Sequence, residues 1–148
     1  MKKMAFMLFL LGYSGLASAY FQSAMRAIER GHYATAERAL RKPAALGEAR
    51  AQNNLGYLYE HGLGVTQNYV EARNWYNKAA AGGLAEAEYM VGEYHRTGIG
   101  GLKKDGAVAL AWFLLASRKG HSGAAWHLAR LAGIEPTTLG FGGQYSIH

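Results

Sequence analysis

The chain has 148 residues, half of them apolar and 18% charged, an ordinary balance for one domain with its own core that excludes a disordered chain. Its 16 Lys and Arg exceed its 10 Asp and Glu, but the bases are spread along the sequence, so nothing indicates a nucleic-acid stripe. With no cysteine, disulfides, thiolate catalysis and zinc–thiolate sites are excluded, and packing alone has to hold the fold.

Residues 1–19 stand apart. "MKK" supplies positive charge, "MAFMLFLLGYSGLA" is an apolar run, and Ala17-Ser18-Ala19 places small residues where a signal peptidase cuts. The segment reads as a secretory signal peptide cleaved after Ala19, with an uncleaved anchor as the alternative. The apolar run is short for a membrane span, so no stable insertion is expected after cleavage. No cysteine follows it, which excludes a lipoprotein. The mature chain then starts at Tyr20 with 14 bases against 10 acids. A disulfide-free exported protein suits a bacterial periplasm, with secretion as the alternative.

Beyond residue 19 the apolar residues recur at helical spacing and glycines punctuate them. The spacing predicts seven helices, at about 20–30, 33–45, 48–61, 68–81, 84–96, 105–119 and 122–132. Within 48–83, Ala51, Leu55, Leu58 and Tyr59 form one helix face, and Val70, Ala72, Trp75, Tyr76, Ala79 and Ala80 form the next. The chain also repeats itself. Shifted by 36, Tyr33 meets Tyr69, Ala36 meets Ala72, Gly56 meets Gly92 and Gly62 meets Gly98. Past "GGLKKDG" the shift becomes 37, so that Trp75 meets Trp112 and Tyr76 meets Phe113. The extra residue falls in a glycine-rich loop, where insertion costs little. Helical hairpins that cannot bury their apolar faces alone must stack. The expected fold is all-α, a short right-handed α-solenoid over 20–133, with units at about 20–47, 48–83 and 84–120 and a final helix at 122–132. The tail, 134–148, has Pro136 to end that helix and Phe141, Tyr145 and Ile147 as apolar anchors. It covers the solenoid end, docks elsewhere, or is disordered.

The stretch "AQNNLGYLYEHGLGVTQNYVEARNWYNKAAAGG" resembles the Sel1-like repeat, a relative of the tetratricopeptide repeat. Ala51, Leu55-Gly56, Tyr59, "GLGV" at 62–65, Ala72, Trp75-Tyr76 and "KAA" at 78–80 carry the resemblance, which extends in weaker form over 84–120. Departures are His95 in place of the tyrosine matching Tyr59, Gly101 in place of a valine, and a first helix without the Leu-Gly pair. The resemblance implies a protein-interaction scaffold, often exported in bacteria. Some cysteine-rich relatives act on β-lactams, but this chain has no cysteine.

No catalytic residue is assigned. Glu60–His61 and Glu93–His95 have the composition of acid/base pairs, but both sit near helix ends, where His suits the dipole and Glu is solvated. His121 and His127 are six apart and do not share a helix face, and no metal or other cofactor is expected. Trp75/Trp112 and Tyr76/Phe113 recur in register, which favours packing, since every hairpin interface needs a filler and a reaction needs one site. The partner surface is therefore sought among residues that change between units, on the helix that lines the concave wall of helical repeats. These are Asn53, Tyr57 and Glu60; Tyr89, Glu93 and Arg96; and Trp126 and Arg130, a stripe suited to protein or peptide contact. Arg96 and Arg130 are placed to clamp a carboxylate. The expected function is a non-enzymatic scaffold or regulator in the bacterial cell envelope that binds a partner protein or peptide. The alternatives are a β-lactam or cell-wall hydrolase and a periplasmic inhibitor or immunity-type protein.

Overall fold

Helix ends are where this sequence is most explicit. Asn68 and Asp105 turn their side chains back to accept the first free N–H groups of the helices that follow them, Val70 and Glu71 in one case and Ala107 and Val108 in the other, at 3.0–3.1 Å. At the other ends, Gly62 and Gly98 adopt left-handed backbone (φ 64° and 78°) and donate their N–H to Leu58 and Tyr94 carbonyls.

The computed structural model describes residues 2–134, with side chains from Gly15 onward except Ala17. Seven helices run in order: α1 (Lys2–Glu29), α2 (Tyr33–Ala45), α3 (Ala49–His61), α4 (Tyr69–Ala81), α5 (Ala85–Thr97), α6 (Gly106–Arg118) and α7 (Ser122–Leu131). No strand occurs among the described residues. The expectations for the tail from 135 onward lie outside the described residues. The extensive helix contacts are all between chain neighbours, the pattern of stacked hairpins.

The first helix differs from the expected 20–30. It is continuous from Lys2 through the anticipated cleavage site to Glu29. The small residues a peptidase needs are compatible with a helix, so nothing at Ala17-Ser18-Ala19 breaks it. The 36-residue register also fails before residue 31, for a visible reason. The α1–α2 connection is 30–32, whereas α3–α4 uses 62–68 and α5–α6 uses 98–105. Counted back from the glycines that follow each helix, Ala24 and Ala27 take the places of Leu55 and Leu58, and all four are buried.

Packing explains the repeated residues. A Cβ at Gly56 would lie 2.7 Å from Tyr76 Cε1, and one at Gly92 would lie 2.6 Å from Phe113 Cε1. In each of these two hairpins the glycine opens a hollow in the first helix that the aromatic of the second fills, and both rings are 1–2% exposed. The loops lock successive units together. A Cβ on Gly64 would strike the backbone at Ala34, one on Gly100 would sit 2.9 Å from Tyr69 O, and Arg73 donates to the Gly100 carbonyl.

Three apolar clusters follow one another along the stack. The first joins α1, α2 and α3 through Phe21, Leu40, Leu55 and Leu58, the second α4 and α5 through Tyr76, Val91 and Tyr94, and the third α6 and α7 through Phe113 and Ala124. Trp75 of α4 packs on the first cluster and Trp112 of α6 on the second, so each tryptophan joins its helix to the apolar cluster that precedes it along the stack. Val70, expected on the buried face of α4, is exposed in the first turn of that helix, and burial begins at Ala72.

Candidate protein-binding face

The eight residues of the proposed stripe fall into two environments. On α3, Tyr57 is 45% exposed and its ring lies 4.2 Å from that of His61, whose Nδ1 is 3.0 Å from the Tyr57 carbonyl. Asn53 is half-buried, and its side-chain oxygen is buried with no hydrogen-bond partner. Glu60 is not free surface. Its Oε2 accepts the Tyr76 hydroxyl at 2.7 Å, and only 16% of its side chain is exposed. Burial, reinforced by this hydrogen bond, pushes the Tyr76 phenol far above its ordinary range, and burial together with the charge of Glu60 does the same to Tyr94. Both phenols stay protonated at any working pH, which leaves Glu60 a structural acceptor.

On α5 and α7 the stripe residues are linked through His127, which was not among them. Arg96 grips Glu93 with two hydrogen bonds, at 2.8 and 2.7 Å, and His127 Nε2 approaches the same carboxylate at 3.2 Å. The His127 ring lies flat on Phe113, with centroids 4.8 Å apart and planes 5° apart, and the edge of Trp126 meets it at 5.1 Å. Burial lowers the His127 pKa; Glu93 opposes this, while Arg96 and Arg130 add to it. Tyr89 stacks on His121 at 4.4 Å and tilts against Phe113 at 5.6 Å. Glu93, read from the sequence as solvated near a helix end, is instead held by Arg96 and His127. The carboxylate clamp is also altered, because Arg96 is already engaged. Arg130 pairs with no acid among the described residues and lies 5.4 Å from the centre of the Trp126 ring.

Sequence reading missed how α7 is fastened. His121 precedes α7 as its cap. Its Nδ1 accepts the Ala124 N–H at 3.2 Å, so the opposite nitrogen carries the proton and donates to Glu86 at 2.8 Å. Two histidines six apart thus reach two carboxylates, Glu86 and Glu93, seven apart on α5. The second unanticipated feature is the buried position shared by Gln52 and Glu88. Gln52 donates to the Ala44 carbonyl at 3.0 Å, whereas Glu88, which has no donor, is met by the Lys119 ammonium, which also donates to the Gly83 carbonyl at 2.8 Å. No group of three or more potential metal ligands gathers among the described residues.

Paired helices, a glycine under each aromatic and glycine loops braced on the preceding hairpin recur in two consecutive units. The family profile described as Sel1 repeat matches the same two units, residues 49–84 and 85–121. This is a Sel1 repeat protein. Its fold resembles the crystal structure of a Sel1 repeat protein from Oxalobacter formigenes, at 32% identity and a TM-score of 0.71, covering 75% of this chain and 45% of that one. It also resembles c5321, a protective antigen of uropathogenic Escherichia coli strains displaying an SLR fold, at 27% identity and a TM-score of 0.74, covering 83% of this chain and 28% of that one. Among curated proteins it is 42% identical over 66 residues to the chitin synthase regulator SKT5 of Saccharomyces cerevisiae, covering 45% of this chain and 9% of that protein. The chain thus spans less than half of each of these relatives.

Proposed function

We propose that this Sel1 repeat protein is a non-enzymatic scaffold or regulator of the bacterial cell envelope that holds a partner protein or peptide on the face of α3, α5 and α7. One observation carries the reading. The residues repeated between units are consumed by packing, while Tyr57, Trp126 and Arg130, which change between units, remain exposed or half-exposed on the first helices. An aromatic beside an unpaired guanidinium is the composition of interface anchors. The matched portion of a relative named as a regulator supports the same class of role. Export is supported by the charged start, the apolar run and the Ala-Ser-Ala site, and by Phe21 being the first buried residue among the described side chains. No helix among the described residues is long and apolar enough to cross a membrane.

The test is affinity capture from periplasmic extract with the parent and with the Tyr57→Ala/Trp126→Ala double variant, alongside N-terminal sequencing of the exported protein. Loss of a captured partner with an unchanged circular dichroism spectrum, and a mature start at Tyr20, are expected. Identical capture by the variant counts against the face. Turnover of a chromogenic β-lactam by the parent would instead favour a hydrolase.

A further inference from the structure

The second helix of each hairpin turns one face outward, and in α6 the chemistry of that face changes. At matching register α2 carries Glu37, Arg38, Arg41 and Lys42, of which Glu37 is buried and the other three are exposed, and α4 carries Arg73, Asn74, Asn77 and Lys78, of which Arg73 is half-buried and the others exposed. In α6 the same four positions are Leu110, Ala111, Leu114 and Leu115. The three leucines are 37%, 46% and 43% exposed, so this face is apolar and open to solvent. With the exposed Ala107 it makes a stripe of alternating ridges and hollows at i, i+3, i+4 and i+7, the spacing with which one helix receives another. Its edge is also where hairpins ordinarily meet the next unit, since Arg73, the counterpart of Leu110, reaches the following loop at Gly100.

Charge frames the stripe. Lys103 and Lys104 precede α6 and Arg118 closes it; all three are exposed, and none pairs with an acid among the described residues. Asp105 lies between them, but its Oδ1 is engaged in capping Ala107 and Val108. The cations at the two ends are separated by about 20 Å, from 1.5 Å per helical residue.

We propose that the outer face of α6 is a second docking surface, whose occupant is an amphipathic helix of a partner protein with an apolar stripe flanked by acidic residues about four turns apart. The inference rests on the reading of the chain as a protein-binding scaffold and adds a surface separate from the α3–α5–α7 face. The alternating Ala and Leu favour a helix over a lipid surface, because the hollows at Ala107 and Ala111 admit a partner's side chains. The cations at both ends disfavour a second copy of this chain, which would bring like charges together.

The experiment uses the full chain and a fluorescein-labelled synthetic 18-residue helix with Leu at i, i+3 and i+7 and Glu at both ends, with a Lys-ended counterpart as control. Saturable binding of the Glu-ended probe is expected, about 10-fold tighter than the Lys-ended one and weakened by salt. Leu114→Asp, and independently Ala111→Glu, should weaken it by about 10-fold or more, both positions being exposed and their replacement compatible with the fold. Tyr57→Ala/Trp126→Ala should leave it unchanged. The proposal is overturned by absence of binding, by equal binding of both probes, or by parent-like binding in the α6 variants. Phosphatidylglycerol vesicle binding without probe binding, or a dimer that Leu114→Asp dissolves, would overturn it in favour of lipid or of self-association. Probe binding lost with Tyr57 and Trp126 would place the helix on the other face, sinking this inference while the scaffold reading stands. Capture failing there while the α6 face binds its probe would do the reverse.

Discussion

Gly56 lies so close to Tyr76 that a single methyl group on it would come within 2.7 Å of the ring. Adding that methyl in a helix ordinarily helps by up to about 1 kcal/mol. Here the ring cannot yield, because it is buried, meets Tyr94 edge-on at 5.7 Å and is tied through its hydroxyl to Glu60. Gly56→Ala is expected to lower stability by about 1–3 kcal/mol in urea denaturation, as overpacking does. Gly106→Ala, where nothing lies within 4 Å, should be neutral or stabilising. Equal effects at both sites would contradict this account.

Trp75 of α4 packs against the apolar cluster formed by α1, α2 and α3, and its indole nitrogen is buried without a hydrogen-bond partner. Trp75→Ala should therefore cost about 3 kcal/mol or more, as truncation of a packed aromatic does. Trp75→Phe should cost much less, because the lost N–H satisfies nothing. A melting temperature for Trp75→Ala within a degree or two of the parent would be inconsistent with its packing against that cluster.

Lys119 compensates a charge that the chain has buried. Glu88 is 4% exposed and one of its oxygens has no partner. Removing the ammonium with Lys119→Ala should cost about 1–3 kcal/mol, less than a fully buried pair because the lysine side chain is 41% exposed. Adding Glu88→Gln should recover much of that loss, since glutamine at the matching position 52 needs no counter-ion. A double-mutant cycle measures the recovery, and simple additivity would refute it.

The burial of His127 makes the docking of α7 sensitive to pH. Its folded-state pKa lies below the unfolded value of about 6.5, so the unfolded chain binds more protons and stability rises with pH. The contribution is complete above pH 6.5 and declines as the pH falls below it toward the folded pKa. His127→Gln should flatten this part of the stability–pH curve, monitored by chemical denaturation between pH 5 and about 8. An unaltered slope would mean that another group is responsible.

The seven helices, their pairing into hairpins and the packing role of Trp75, Tyr76 and Phe113 were readable from periodicity and from the glycines that end the helices. These signals are local: a cap, a left-handed glycine or an apolar face acts within a few residues of its own position. The start of α1 was not readable, because the cleavage-site residues carry no helix-stopping chemistry. Nor was the state of the stripe. Glu60 lies under Tyr76, Glu93 is held by Arg96 and His127, and His121 and His127 reach α5 together; all but the Glu93–Arg96 pair are contacts between residues 16 to 35 positions apart. Whether the face of α6 is open depended likewise on what stacks against it, since leucines in that pattern read equally well as core. Composition and spacing specify which faces are apolar. Burial is a property of the neighbours, and those are set by how one hairpin lies on the next.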